Sequence, residues 1–346
     1  MSAQSSKQGT PSAVGTEFAG CVDLAARGLG AGVVAASDDL FAERENLIAP
    51  GRPVFDPTRF GPRGKVYDGW ETARRRDGGH DFAVVRLGTP GIVQGVVVDT
   101  SWFRGNYPPY VSAEAAWVDG YPSPGELLAS DWQTIVARSP ASGDTENVYR
   151  VDDGRRWSHV RLSIYPDGGV ARLRVPGLVV ADPRFLEGTV DLLAVENGGR
   201  AVECSDAFYA APQNLIAPGR ARHMGEGWET ARRRDAGNDF VVFALAGQGV
   251  VRHLEVDTTW FVGNAPGWVR VSTADDPAGE WRELVPRMAV RPDTRHRLLT
   301  PDAHPATHLR LDVYPDGGLS RLRAWGELTP TGLAAAQARW IATAAR

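Results

Sequence analysis

Apolar and polar side chains alternate along short stretches of the chain with the period of a half-buried strand. In residues 160–164, Val160, Leu162 and Ile164 fall on one sheet face and Arg161 and Ser163 on the other. The same pattern predicts strands at 82–87, 92–99, 110–117, 132–137, 159–165 and 170–175. Turns rich in Gly and Pro separate them. Pro166-Asp167-Gly168-Gly169 is expected to close a hairpin between the last two strands, because glycine accepts the positive φ that such turns need. Helical periodicity is confined to the C-terminus. There Leu333, Ala336, Trp340, Ile341 and Ala344 are spaced to share one face after Thr329-Pro330-Thr331, a combination that starts helices. Many short antiparallel strands and one terminal docking helix predict an all-β chain of the β-sandwich or jelly-roll kind.

The pattern occurs twice. Residues 69–77, Gly-Trp-Glu-Thr-Ala-Arg-Arg-Arg-Asp, return unchanged at 227–235, an offset of 227 − 69 = 158. Asn46-Leu47-Ile48 and the residues up to Arg52 return at 214–220, an offset of 214 − 46 = 168, so ten residues are missing from the second copy between these blocks. The gap falls in the Pro/Gly-rich stretch around 57–64, where a loop insertion costs little. Asp99-Thr100 through Gly105-Asn106 returns at 257–264, and the block from His159 through Tyr165 to Arg174 returns from His308 through Tyr314 to Arg323. Two copies at this spacing imply two similar domains rather than a solenoid. The expected organisation is a leader over 1–16, a first jelly-roll repeat over 17–182 and a second over 183–346, with the boundary near Asp182-Pro183.

Length and composition agree with this division. The 346 residues suffice for two ordinary domains, and 42% hydrophobic with 23% charged residues is a usual globular mixture. A formal net charge of −4 provides no basic field for nucleic acid or an anionic membrane surface. The leader lacks the apolar core of a signal peptide, and no run reaches the length of a spanning helix, so a cytoplasmic protein is expected. Lysine occurs only at Lys7 and Lys65. Coding bias accounts for the excess of arginine, although guanidinium forks also bind carboxylates in a two-point geometry that ammonium cannot copy. Cys21 and Cys204 occupy non-equivalent positions with no metal-ligand or redox spacing and are read as buried thiols. The scattered histidines give no metal-site spacing, so neither metal nor other cofactor is expected.

The motifs are more specific than the fold. Asn46-Leu47-Ile48, Asp68-Gly69-Trp70-Glu71-Thr72 with the arginine triplet, His80-Asp81-Phe82, Asp99-Thr100 with Gly105-Asn106, and Tyr165-Pro166-Asp167-Gly168-Gly169 with Arg172-Leu173-Arg174 together resemble the allantoicase family over roughly 37–326. The resemblance implies two galactose-binding-like jelly rolls and hydrolysis of allantoate to ureidoglycolate and urea in purine degradation. It also implies a homo-oligomer, possibly trimer-based, and allantoate as the small-molecule partner. No catalytic assignment comes with it.

Allantoate carries one carboxylate and two ureido groups on a single carbon, so releasing urea needs a proton for the departing nitrogen and water for the carbon. Carboxylates and histidine carry such protons, and Glu71, His80, Asp81 and Asp99 are the catalytic candidates. Arg74, Arg75 and Arg76 are candidates for gripping the carboxylate, with Asn106, His159 and Arg161 as further binding residues. In an extended segment Arg75 faces away from Arg74 and Arg76, so at least one of the three serves structure or solvent. Trp70, Trp102, Trp228 and Trp260 are read as core, and Asp99 and Asp257 either brace a turn or act in catalysis. The copies differ at His80, which becomes Asn238, and asparagine carries no proton near neutral pH. The first repeat is therefore expected to hold the acid/base group, with the second repeat or another subunit completing the pocket. The competing readings are a non-catalytic ligand-binding jelly roll and a hydrolase of ureidoglycolate.

Overall fold

The structure is a computed structural model that describes residues 17–345 apart from 19 and 63; the expected leader lies outside the described residues. The chain divides into two compact units, one ending at Leu178 and the other running from Val179 to Ala344. The first contains β1 (Val22–Asp23), β2 (Gly32–Ala36), β3 (Phe60–Gly61), β4 (Gly64–Lys65), β5 (Trp70–Glu71), β6 (Asp81–Val93), β7 (Gly95–Asp99), β8 (Tyr110–Ala116), α1 (Pro124–Leu128), β9 (Gln133–Pro140), β10 (Glu146–Arg150), β11 (Arg156–Tyr165), β12 (Gly169–Val170), β13 (Arg172–Arg174) and β14 (Pro176–Val179). The second contains β15 (Val190–Asp191), β16 (Arg200–Cys204), β17 (Trp228–Glu229), β18 (Asp239–Asp257), β19 (Trp268–Ala274), β20 (Arg282–Ala289), β21 (Arg295–Leu299), β22 (Ala306–Tyr314), β23 (Gly318–Leu319), β24 (Arg321–Leu328) and α2 (Pro330–Ala342).

In the first repeat a seven-stranded sheet runs β1-β14-β6-β11-β8-β9, with β2 also on β6, and a three-stranded sheet runs β10-β7-β13. Val160, Leu162 and Ile164 of β11 are fully buried, as are Val96 to Val98 of β7 and Leu173 of β13. The other face of β11 carries Arg161 and Tyr165. It is covered in part by α1, whose Leu127 packs with Ala35 and Val84 and against Phe82 and Trp132. A Ser123–Glu126 capping box and Pro124 start that short helix. In the second repeat β18 is one continuous strand where the first has β6 and β7, and an eight-stranded sheet forms around it. The β8–β9 connection spans 117–132, sixteen residues, whereas the β19–β20 connection spans 275–281, seven. The difference of nine carries α1.

The expected hairpin at Pro166–Gly169 does not form. After Tyr165 the chain leaves its sheet: β12 pairs with β5 and β13 pairs with β7 in the other layer. The glycines are required for close approach instead. A Cβ on Gly169 would lie 2.0 Å from the Phe103 ring, and one on Gly168, at φ 143°, would lie 2.8 Å from the Asn106 carbonyl. The predicted strand at 170–175 is accordingly broken at Ala171, and β6 runs on to Val93. The terminal helix forms and packs on β18 and β24, but Ile341 is 74% exposed and lies off the buried face. Trp70 and Trp228 are core. Trp102 and Trp260 are not: both sit in loops at φ 73°, and Trp260 is 47% exposed.

Candidate active site

The outer face of the first repeat's large sheet carries a cleft of about 530 Å³, lined by His80, Phe82, Ser112, Glu114, Thr134, Arg138, Arg161 and Tyr165. Strand register builds it. Arg161 of β11 stands opposite Glu114 of β8, which stands opposite Thr134 of β9; one row along, Ser163 stands between Phe82 and Ser112; the next pair is Tyr165 and Tyr110. Directly opposed residues share a face, so these rows meet without help from loops. Arg161 donates through Nε to Glu114 at 2.7 Å, and its guanidinium lies over the Trp132 ring at 4.6 Å. The hydroxyls of Ser112 and Tyr165 are 2.9 Å apart. Arg138 stacks on Tyr165 at 4.4 Å and Tyr110 at 4.9 Å and forms no ion pair among the described residues. His80 leans on the other side of the arrangement, its ring 4.7 Å from that of Tyr165. The cleft thus offers an imidazole, a carboxylate, hydroxyls and an arginine without an acidic partner.

The same register in the second repeat gives a different surface. Arg270, Asp312 and Phe240 replace Ser112, Ser163 and Phe82, while Ser272 stands opposite Arg310 and Trp268 opposite Tyr314. Asp312 has no exposed side-chain area and accepts hydrogen bonds from Arg270 at 3.1 Å, Arg310 at 2.9 Å and Asn238 at 3.0 Å. The remaining cleft measures about 240 Å³ and is lined by Asn238, Arg287 and Tyr314 among others.

Of the residues singled out from the sequence, the cleft brings together His80 and Arg161. Glu71 and Asn106 pair with each other elsewhere: the Asn106 amide donates to Glu71 at 2.7 Å, and Asn264 donates to Glu229 at 2.6 Å. Burial pushes the half-buried Glu71 carboxyl above its ordinary value, and the Asn106 hydrogen bond opposes the shift. Arg75 is a brace. It donates to Asp77 and, at 2.6 Å, to the buried Asp81, whose same oxygen also accepts from Ser37. Arg233, Asp235 and Asp239 repeat this arrangement. Arg74 and Arg76 are exposed and do not line the cleft. Asp99 is buried and accepts from the Ser101 amide at 2.8 Å, a turn brace that Asp257 repeats with Thr259. His159 is buried with Nδ1 2.9 Å from the Ser158 hydroxyl; burial, then the Arg86 charge, lowers its pKa to about 4.

Glu114, Arg138, Ser112 and Thr134 escaped the sequence reading. Arg138 was discoverable, since Trp132 and Arg138 recur as Trp281 and Arg287 at the offset of His159 and His308, 149. Glu114 was not, because its counterpart is Ser272 and only strand register puts it beside Arg161. The cysteines form no disulfide and are half-buried rather than buried; burial raises the Cys204 thiol. Among the described residues no group of three or more His, Cys, Asp or Glu side chains is placed to hold a metal ion, and no helix is long and apolar enough to cross a membrane.

Together, fold and cleft define a tandem β-sandwich protein with a polar cleft on the face of one sheet. The family described as allantoicase repeat matches residues 22–180 and 190–329. A probable allantoicase of Streptomyces coelicolor is 51% identical over 336 residues, covering 93% of this chain and 89% of that protein. One of Nocardia farcinica is 53% identical over 310 residues, covering 88% and 94%. The crystal structure of allantoicase from Saccharomyces cerevisiae superposes with a TM-score of 0.80 at 32% identity, covering 92% of this chain and 98% of that one. The chain belongs to the allantoicase family.

Proposed function

We propose that this hydrolase binds allantoate in the cleft of the first repeat and splits it there, with water, into ureidoglycolate and urea. Family membership supplies the reaction, and the choice of cleft rests on one observation. In the first repeat the sheet face keeps a histidine, a carboxylate and an acid-free arginine around about 530 Å³, within the usual range for small-ligand sites. Arg138, held by two rings, takes the substrate carboxylate. Glu114 and the Ser112 hydroxyl face the ureido groups, with Arg161 fixing Glu114 in place. Water adds its oxygen to the central carbon, the bond to one ureido nitrogen breaks, and that nitrogen takes a proton to leave as urea. His80 and Glu114 are the two proton carriers.

A second reading is favoured by the Glu71–Asn106 pair, which recurs in both repeats and carries a carboxyl with a raised pKa suited to donating a proton. Glu71→Gln separates the two, since the amide keeps a hydrogen-bond acceptor for Asn106: turnover within about threefold of the parent supports the cleft, and collapse supports the pair. The activity itself is tested by incubating the purified chain with allantoate, allantoin or ureidoglycolate and following urea; no urea from allantoate would defeat the assignment. We further place the protein in the cytoplasm as a trimer-based homo-oligomer. The unbridged cysteines support the first statement and the family resemblance the second. Light scattering that finds a monomer would overturn the oligomer.

A further inference from the structure

We propose that the second repeat contains a carboxylate-receptor site and that the chain fills it from within, using Asp312. Two guanidinium groups and one amide converge on this single carboxylate, which has no exposed side-chain area. Arg270 comes from β19, Arg310 from β22 and Asn238 from the segment before β18, so three separate pieces of chain are spent on one anion. Such convergence of charged donors on a buried carboxylate is how proteins recognise a bound carboxylic acid. Here the acid is tethered. Arg310 also lies over the Phe240 ring at 3.9 Å, which fixes its plane.

The first repeat shows what remains when the tethered ligand is absent. By register its residues at the same places are Ser112 for Arg270 and Ser163 for Asp312, with Arg161 retained for Arg310, and by the repeat offset of 158 His80 stands for Asn238. Two large ionic side chains have become serines, and the cleft there is about 530 Å³ against about 240 Å³. The freed space receives a ligand from outside, and a proton-carrying imidazole replaces an amide that holds Asp312 in the other copy. This statement about the first repeat rests on its cleft being the substrate site. The statement about the second repeat stands on its own geometry.

The test uses the full chain carrying Asp312→Ala, followed by calorimetry in formate or in chloride at equal ionic strength. Leaving two half-buried guanidiniums without the carboxylate on which both converge is expected to lower the unfolding temperature by about 5 °C. Formate, a detached carboxylate small enough for the space left by the side chain, is expected to restore most of that loss saturably, and chloride is not. Adding Arg310→Leu to the variant is expected to abolish the recovery. Formate that acts equally on the parent and the variant, or on neither, overturns the proposal. If Asp312→Ala is recovered only as aggregate, refolding in formate and in chloride is compared instead: recovery in formate alone supports the receptor, and no difference overturns it. Because the readout is stability, it holds whether or not allantoate is split in the first cleft.

Discussion

His80 rests its imidazole against Tyr165 with ring centroids 4.7 Å apart, whereas its counterpart in the second repeat, Asn238, spends its amide on Asp312. One side chain is exposed at the cleft and the other is part of the fold. His80→Ala and His80→Asn are therefore expected to lower kcat by about 100-fold or more, the ordinary contribution of a positioned proton carrier, with little change in KM. Stability is expected to move by no more than about 0.5 kcal/mol, as at other exposed positions. Steady-state urea release and thermal unfolding check both; undiminished turnover in His80→Ala would sink the assignment.

The arginine triplet divides by burial. Arg75 reaches the almost inaccessible Asp81 at 2.6 Å, while Arg74 and Arg76 stand in solvent. Removing the guanidinium leaves the buried Asp81 carboxylate without its cation, so Arg75→Ala is expected to cost about 3 kcal/mol. Arg74→Ala and Arg76→Ala are each expected to stay within about 0.5 kcal/mol. Urea denaturation of the three variants measures the contrast. Equal losses at all three would contradict the division.

The tandem sandwich could be recovered from the sequence because its cause is written locally: period-two alternation in 160–164 and a nine-residue block repeated without change. The same period set Arg75 apart from Arg74 and Arg76 but did not say which of them braces the fold. What local pattern does not contain is pairing. Gly168 and Gly169 carry the composition of a hairpin turn, yet they serve to pass Phe103 and Asn106 closely while the chain changes sheets. Retention between the copies likewise pointed toward Glu71 and Arg75, whose hydrogen-bond partners are also the same in both copies. Glu114, Ser112 and Ser163 differ between the copies, and their juxtaposition depends on the register of two strands distant in sequence.

His159 links the fold to pH. Its pKa is lowered to about 4 by burial, whereas an exposed histidine titrates near 6.5, so between these values the unfolded chain binds a proton that the folded one excludes. The folded pKa is the lower one. This contribution to stability is therefore unchanged above about pH 6.5 and falls by at most about 1.4 kcal/mol per pH unit toward pH 4. His159→Gln removes the titration, and the difference in unfolding free energy between parent and variant is expected to shrink steadily over that window. A difference that stays constant from pH 7 to pH 4 would show that the histidine is protonated inside the fold.

Ser163 offers the reverse experiment to opening the second repeat. It stands between Ser112 and Phe82, where the other copy holds Asp312 between Arg270 and Phe240, and Arg161 lies two residues away as Arg310 does from Asp312. Ser163→Asp puts a carboxylate into the first cleft and is expected to raise KM for allantoate by about tenfold or more, since the anion must then enter beside a fixed negative charge. A buried charge also lowers stability, so the single variant alone does not separate a filled site from a damaged one. Combining it with Ser112→Arg supplies the guanidinium that Asp312 receives from Arg270 and is expected to recover much of the unfolding temperature while leaving KM high. Recovered stability together with a KM equal to that of the parent would mean that the substrate does not use this part of the sheet.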